Sequence, residues 1–289
     1  METLPRRIVV ATDGSPDAEI AASVASDLAM RAGAELHLVH VWIPITTRGY
    51  QTPFAANDPN KQRSEAEQTL TQEVERITTE GGHVTGMHLQ EGRPAEAIAD
   101  LCGEIAGDLL VTGSRGHGRL RRMVLGSVAE GVLRLATCPV LVARGGRDSW
   151  PPAEIVVGDD GSRQASQAAR LALRLAQLYD VPTRLIYALP DPPLALAIDR
   201  DTRDEILHYV EAVMEDRADA LLDEAEGRLR VNPVMGDPAA ALVTSAEQLG
   251  CPALIAVGRQ GRHRRLRRQP GSVSTAVLHA AHGPVLVHP

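Results

Sequence analysis

The hydrophobic positions of the chain fall into short unbroken runs separated by longer amphipathic stretches. IVVAT (8–12), ELHLVHV (35–41), DLLVTG (108–113) and PVLVA (139–143) have the length and aliphatic content of strands covered on both faces, and a further strand is expected around 83–89. Between them, Pro16–Ala32 carries Ala, Val and Leu at helical spacing, with Ser15 as N-cap and Pro16 in the first helical position. Ser64–Glu80 reads as a polar amphipathic helix, Pro94 opens another, and VAEGVLRLA follows Gly126 and Ser127 as a fourth. Residues 43–59, rich in Thr, Pro and Asn, read as a loop. Strands alternating with helices specify a doubly wound α/β domain with a mainly parallel sheet and helices on both faces.

The pattern then repeats. IVVATDGS (8–15) returns as IVVGDDGS (155–162), an offset of 147, and EGRPA (91–95) as MGDPA (235–239), an offset of 144. The frame G-x2-G-x9-G-S, which starts at Gly113, starts again at Gly258, and TCPVLV (137–142) returns as HGPVLV (282–287), both at an offset of 145. Four landmarks at nearly one offset mark a tandem duplication. The copies are expected at 1–146 and 152–289, with the boundary in the Gly-, Pro- and charge-rich segment 143–154. In the second copy RLIYAL (184–189) is the second strand, and a long helix is expected within Asp201–Arg228.

Ligands of open parallel sheets settle outside the carboxyl ends of the strands, where strand order reverses. Asp13, Val41 and Gly113 stand at three such ends, and they border one crevice if the fourth strand lies beside the first. Gly113, Gly116 and Gly126 allow backbone amides to approach a phosphate closely, and the helix after Gly126-Ser127 turns its N–H groups and positive dipole end toward an anion. Arg115, Arg119, Arg121 and Arg122 add charge, while Asp13 can accept hydrogen bonds from ribose hydroxyls. Ala11, Thr12, His117 and Val128 complete the first candidate site. Plainer roles compete: Ser127 with Glu130 forms a capping-box pattern, Asp13 and Asp160 can simply open helices, and arginine runs are commonly solvated faces.

Composition narrows the class. With 44% hydrophobic and 23% charged residues the chain is globular, and with 2% aromatics its core must be Val, Leu, Ile and Ala. A net charge of −7 and so few rings argue against nucleic acid as partner, including through RHRRLRR at 262–268. No apolar run reaches the roughly 20 residues of a membrane span. Three cysteines without a CxxC pair, and no leader before the first strand, favour a cytoplasmic location. His279 and His282 share helical spacing but lack a third ligand, so no metal site is expected.

IVVATDGS, LVHV (38–41), GRPAEAI (92–98) and the glycine frame followed by CPVLV together resemble the universal stress protein family, in two tandem copies over nearly the whole chain. The frame resembles that of the family's ATP-binding branch. The resemblance implies a five-stranded sheet of order 3-2-1-4-5 in each copy, and ATP, or else AMP or ADP, as ligand, with a magnesium ion accompanying the phosphates. It further implies that Asp13 and the Val41 backbone hold ribose and adenine, and that Gly113, Gly116, Gly126, Ser127 and Val128 hold ribose and phosphates. The matching residues of the second copy are Asp160, Ala188, Gly258, Gly261, Gly271, Ser272 and Val273, with Arg259 and Arg262 in its loop. Tyr187 and Ala188 replace His40 and Val41 there, and Gly158 and Asp159 replace Ala11 and Thr12, so the first site is the stronger expectation.

The resemblance also implies a regulatory or stress-response role, and an intramolecular pseudo-dimer joined through the last strands of the two copies; further homodimerisation is compatible with it. An ATPase is the main alternative, but no Walker frame G-x4-G-K-[ST] occurs. Adenylate-forming and sulfur-transfer enzymes of related folds use an SGGxDS-type loop, where this chain has TDGSPD and DDGSRQ.

Overall fold

The computed structural model describes residues 4–44, 59–116, 125–189, 199–223, 227–261 and 270–289. They form two compact units, one spanning Pro5–Gly146 and the other built mainly from Arg147–Pro289.

In the first unit, β1 (Arg7–Ala11), β2 (Glu35–Trp42), β3 (Gly86–Glu91), β4 (Leu109–Gly113) and β5 (Val140–Ala143) alternate with α1 (Pro16–Ala32), α2 (Pro59–Thr79), α3 (Pro94–Glu104) and α4 (Ser127–Leu135). All strand pairings are parallel, and their order is β3-β2-β1-β4-β5, so β4 does lie beside β1. The second unit repeats the plan: β6 (Glu154–Gly158), β7 (Thr183–Leu189), β8 (Leu229–Met235), β9 (Ala253–Gly258) and β10 (Val285–His288), ordered β8-β7-β6-β9-β10 and again parallel. Its helices are α5 (Arg163–Tyr179), α6 (Arg200–Leu222), α7 (Pro238–Glu247) and α8 (Ser272–Ala280). This is the fold class expected from the alternation of elements.

The central strands are buried without a break because helices cover both faces: Ile8, Val9, Val10, Leu109, Leu110 and Val111 have no exposed surface. The scarcity of rings is met by close approach. Ala18, Ala21, Ala22, Ala25 and Ala29 of α1 are buried against the sheet, and Ala165, Ala168, Ala169, Ala172 and Ala176 of α5 do the same in the second unit. Small side chains at these positions let the helices pack closely on the strands.

Three boundaries differ from expectation. α2 begins at Pro59, five residues before Ser64, because proline is suited to the first helical position. α6 begins at Arg200, capped by Asp199, whose side chain accepts from the Thr202 N–H at 2.8 Å. β3 runs over Gly86–Glu91 rather than 83–89; it follows β2 in register as far as Trp42↔Glu91.

The β2–β3 pairing also creates a histidine contact. His37 Nδ1 lies 3.0 Å from His88 Nε2, and the two rings stack 5.3 Å apart. Burial, and secondarily the neighbouring His37, push the His88 pKa below its usual 6.5. The fold therefore favours neutral His88, and the unfolded chain takes up the proton first as pH falls below that value. Stability present above about pH 6.5 should be lost on acidification through the lower folded value. Thermal unfolding at about pH 7.5 and 5.5 checks this: the natural chain should lose more of its midpoint than His88→Gln.

Candidate functional site

Each unit opens a crevice at the carboxyl ends of its strands, and the Asp-Gly-Ser turn after the first strand forms one side of it. In the first unit, Gly14 has φ 74°, a conformation that favours glycine, and its N–H donates to Thr12 Oγ1 at 3.2 Å. Asp13 Oδ1 accepts from the Ser15 N–H at 3.0 Å, and Ser15 Oγ caps α1 by accepting from the Ala18 N–H at 3.3 Å. Half of the Asp13 carboxylate thus opens the helix, as the plainer reading required. Its other oxygen, Oδ2, faces Gly116, where a Cβ would collide with it.

The second unit repeats this turn, with Asp159 in place of Thr12. Gly161 has φ 73°, the Ser162 N–H donates to Asp160 Oδ1 at 2.9 Å, and a Cβ at Gly261 would collide with Asp160 Oδ2. Gly116 and Gly261 are therefore glycines for a reason of space: the loop after the fourth strand of each copy passes against the aspartate at the mouth of the crevice.

The loop leaves and rejoins the sheet at one point. The Gly126 N–H donates to Ser114 O at 2.8 Å, and the Gly271 N–H to Arg259 O at 2.6 Å. Gly113 and Gly258 meet the helix at the opposite wall so closely that a Cβ at Gly113 would stand 2.7 Å from Asp17 O, and one at Gly258 2.9 Å from Ala165 N.

Gly126 and Gly271 are the N-caps of α4 and α8, and among the described residues neither helix has a side-chain cap. The capping-box alternative at Ser127 is not realised: Ser127 sits one residue inside the helix, past the position from which its hydroxyl could cap it. α1, α5, α6 and α7, by contrast, are capped by Ser15, Ser162, Asp199 and Asp237. The uncapped ends of α4 and α8 face their crevices, leaving the positive end of each dipole toward the cavity.

The first crevice has a volume of about 310 Å³. Ala11, Thr12, Asp13 and Val41 line one part of it, and Gly113, Arg115, Gly116, Gly126, Ser127 and Val128 the other. The second, of about 250 Å³, gathers Asp160, Ala188, Gly258, Arg259, Gly261, Gly271, Ser272 and Val273. His117, Arg119, Arg121 and Arg122, and Arg262 with the remaining arginines of its loop, lie outside the described residues. Pro94 and Ile98 at the start of α3, and Pro238 and Leu242 at the start of α7, supply an apolar wall that was not assigned to the site from sequence. Pro94 and Pro238 belong to the repeated landmark EGRPA/MGDPA, which marks the duplication and a helix start in both copies.

Charge is arranged differently in the two crevices. In the first, Asp17 Oδ2 accepts from Ser114 Oγ at 2.6 Å and from Arg115 Nε at 3.2 Å, so Arg115 is held against the wall. Burial, together with the nearby Arg115, lowers the pKa of Arg144 at the end of β5. In the second, Asp159 takes the place of Thr12 and accepts from the Gly161 N–H at 2.8 Å. Arg217 of α6 binds both of its oxygens and donates to Ser166 Oγ at 3.0 Å. The extra carboxylate of the second copy thus has no exposed side-chain surface and a partner for its charge.

Among the described residues no three His, Cys, Asp or Glu side chains are placed to hold a metal ion, and no helix is long and apolar enough to cross a membrane.

The sequence profile of the universal stress protein family matches residues 5–144 and 153–289. The chain belongs to this family, as a tandem pair of its domains. A universal stress protein of Thermus aquaticus is 35% identical over 144 residues, covering 48% of this chain and 98% of that protein. A crystal structure of a universal stress protein from Archaeoglobus fulgidus shares the fold over 98% of both chains, with TM-score 0.70 and 19% identity. A universal stress protein solved in complex with cAMP is 25% identical, covers 48% of this chain and 97% of its own, and has a TM-score of 0.39.

Proposed function

We propose that the chain binds a nucleotide in each domain, with ATP the first candidate ligand, and acts in a regulatory or stress-response role. One observation carries this: in both copies a carboxylate oxygen at the crevice mouth abuts a glycine whose Cβ would displace it, opposite a helix N-terminus whose N-cap is a glycine. Such an arrangement offers an acceptor for sugar hydroxyls on one side and N–H donors for phosphate on the other. The apolar wall from Pro94 and Ile98, or Pro238 and Leu242, suits the flat face of a base. Any magnesium ion would enter with the phosphates.

Binding is favoured over turnover because no lysine lines either crevice among the described residues. The same reading includes the two domains as bounded above, their pairing as a pseudo-dimer, and a cytoplasmic location, which suits the three free thiols.

Protein purified without added nucleotide should release ATP, ADP, AMP or cAMP on denaturation, at one or two molecules per chain by mass spectrometry. Absence of bound nucleotide, together with no calorimetric binding of ATP at millimolar concentration, would overturn the proposal. Hydrolysis approaching about one per second would overturn the preference for binding.

A further inference from the structure

Two of the three cysteines meet in the first domain, at the end of the sheet away from the crevice. Cys102 lies in the last turns of α3 and Cys138 in the connection from α4 to β5, and their Sγ atoms are 3.3 Å apart. Cys102 is buried at 3% exposure, whereas Cys138 is partly exposed. The pocket around Cys102 is closed by the turn that follows α3. Gly107 N–H donates to Cys102 O at 2.7 Å, and a Cβ on Gly107 would stand 2.7 Å from Cys102 Sγ. A disulfide needs about 2.05 Å between sulfurs, so the two atoms must approach by roughly 1.2 Å.

The second domain lacks the pair and fastens the same joint otherwise. The landmarks EGRPA/MGDPA and TCPVLV/HGPVLV carry Cys102 to Ala246 and Cys138 to Gly283. There the end of α7 is held to the α8–β10 connection by His282 Nδ1 and Glu247 Oε1, 2.8 Å apart. One domain therefore has a histidine–carboxylate hydrogen bond between helix end and strand start, and the other two thiols.

We propose that Cys102 and Cys138 form a peroxide-oxidisable dithiol that closes a reversible disulfide in the first domain. Their contact lowers the Cys102 pKa, and the same contact together with burial raises that of Cys138, so Cys102 is the thiolate-prone partner of the pair. One thiolate attacks hydrogen peroxide, breaking the O–O bond to give a sulfenic acid and hydroxide. The other thiol then displaces the sulfenic oxygen, forming the S–S bond. In sum, two thiols and one peroxide give one disulfide and two waters. The bond would link the two ends of a segment that contains β4, the glycine loop and α4, and so tie the loop's frame covalently to α3.

The full chain with Cys251→Ser, which keeps the pair and removes the exposed third thiol, is the form to test. Hydrogen peroxide should lower its intact mass by two hydrogens. A Cys102–Cys138 linked peptide should appear after digestion without reductant, and dithiothreitol should reverse both. The oxidised form should unfold roughly 5 °C or more above the reduced form, because the cross-link restricts the unfolded chain. Cys102→Ala/Cys138→Gly, which installs the residues of the second domain, should show no mass loss and no midpoint shift while remaining folded. The proposal is overturned if peroxide leaves the mass unchanged, adds oxygens at either cysteine without a cross-link, or links separate chains.

Discussion

Replacing Gly116 and Gly126 by valine should remove one nucleotide per chain, and replacing Gly261 and Gly271 should remove the other, while the purified protein keeps its helical content. A side chain at Gly116 must displace the Asp13 carboxylate, and one at Gly126 would stand 3.2 Å from both Arg115 Cα and Ser114 O. The first change removes the acceptor at the crevice mouth; the second shifts the N-terminus of α4. Losing two such contacts corresponds to at least about a hundredfold in affinity, at roughly 1.4 kcal/mol per factor of ten. Calorimetry with ATP on each double variant and on the combined quadruple variant reads the outcome as stoichiometry. An unchanged stoichiometry in all three would place the ligand elsewhere.

The second large effect concerns stability. Arg217→Met should destabilise the second domain by about 3 kcal/mol, because it strands a fully covered carboxylate. A change of that size lowers the unfolding midpoint of a domain of this length by roughly 8 °C. Asp159→Thr, which restores the residue found at Thr12, should cost less, since the Arg217 side chain is 31% exposed and its guanidinium can reach water. Combining both changes should recover much of the loss, the signature of two residues that act as a pair. Equal midpoints for all three variants would show that the pair does not hold α6 to the sheet.

The duplication and the crevice were legible because they depend on residues whose chemistry permits few substitutes. A turn at φ 74° calls for glycine at Gly14, and a loop pressed against a carboxylate calls for glycine at Gly116. Asp-Gly-Ser and the glycine frame therefore leave the same trace in both copies. The apolar wall was not legible as such: Ile98 and Leu242 are single apolar positions within their helices, and nothing local says whether that face meets the sheet or a cavity. Ser127 shows a different failure. S-x-x-E is a true capping pattern, but the chain enters α4 one residue earlier, at Gly126. The Asp159–Arg217 pair was beyond reach because its members are 58 residues apart and α6 is polar on several faces. Cys102 and Cys138, likewise, meet only through the packing of α3 beside α4.

A single backbone hydrogen bond joins the two ends of each glycine loop, Gly126 to Ser114 and Gly271 to Arg259. The residues that flank 117–124 and 262–269 are thereby tied to one another, so the sequence between them can diverge at little cost to the frame on either side. HGRLRRMV and RHRRLRRQ, equal in length and bounded alike, are in that sense interchangeable parts. After the duplication, selection could change one loop and leave the other as it was, without either domain having to relearn how to fold.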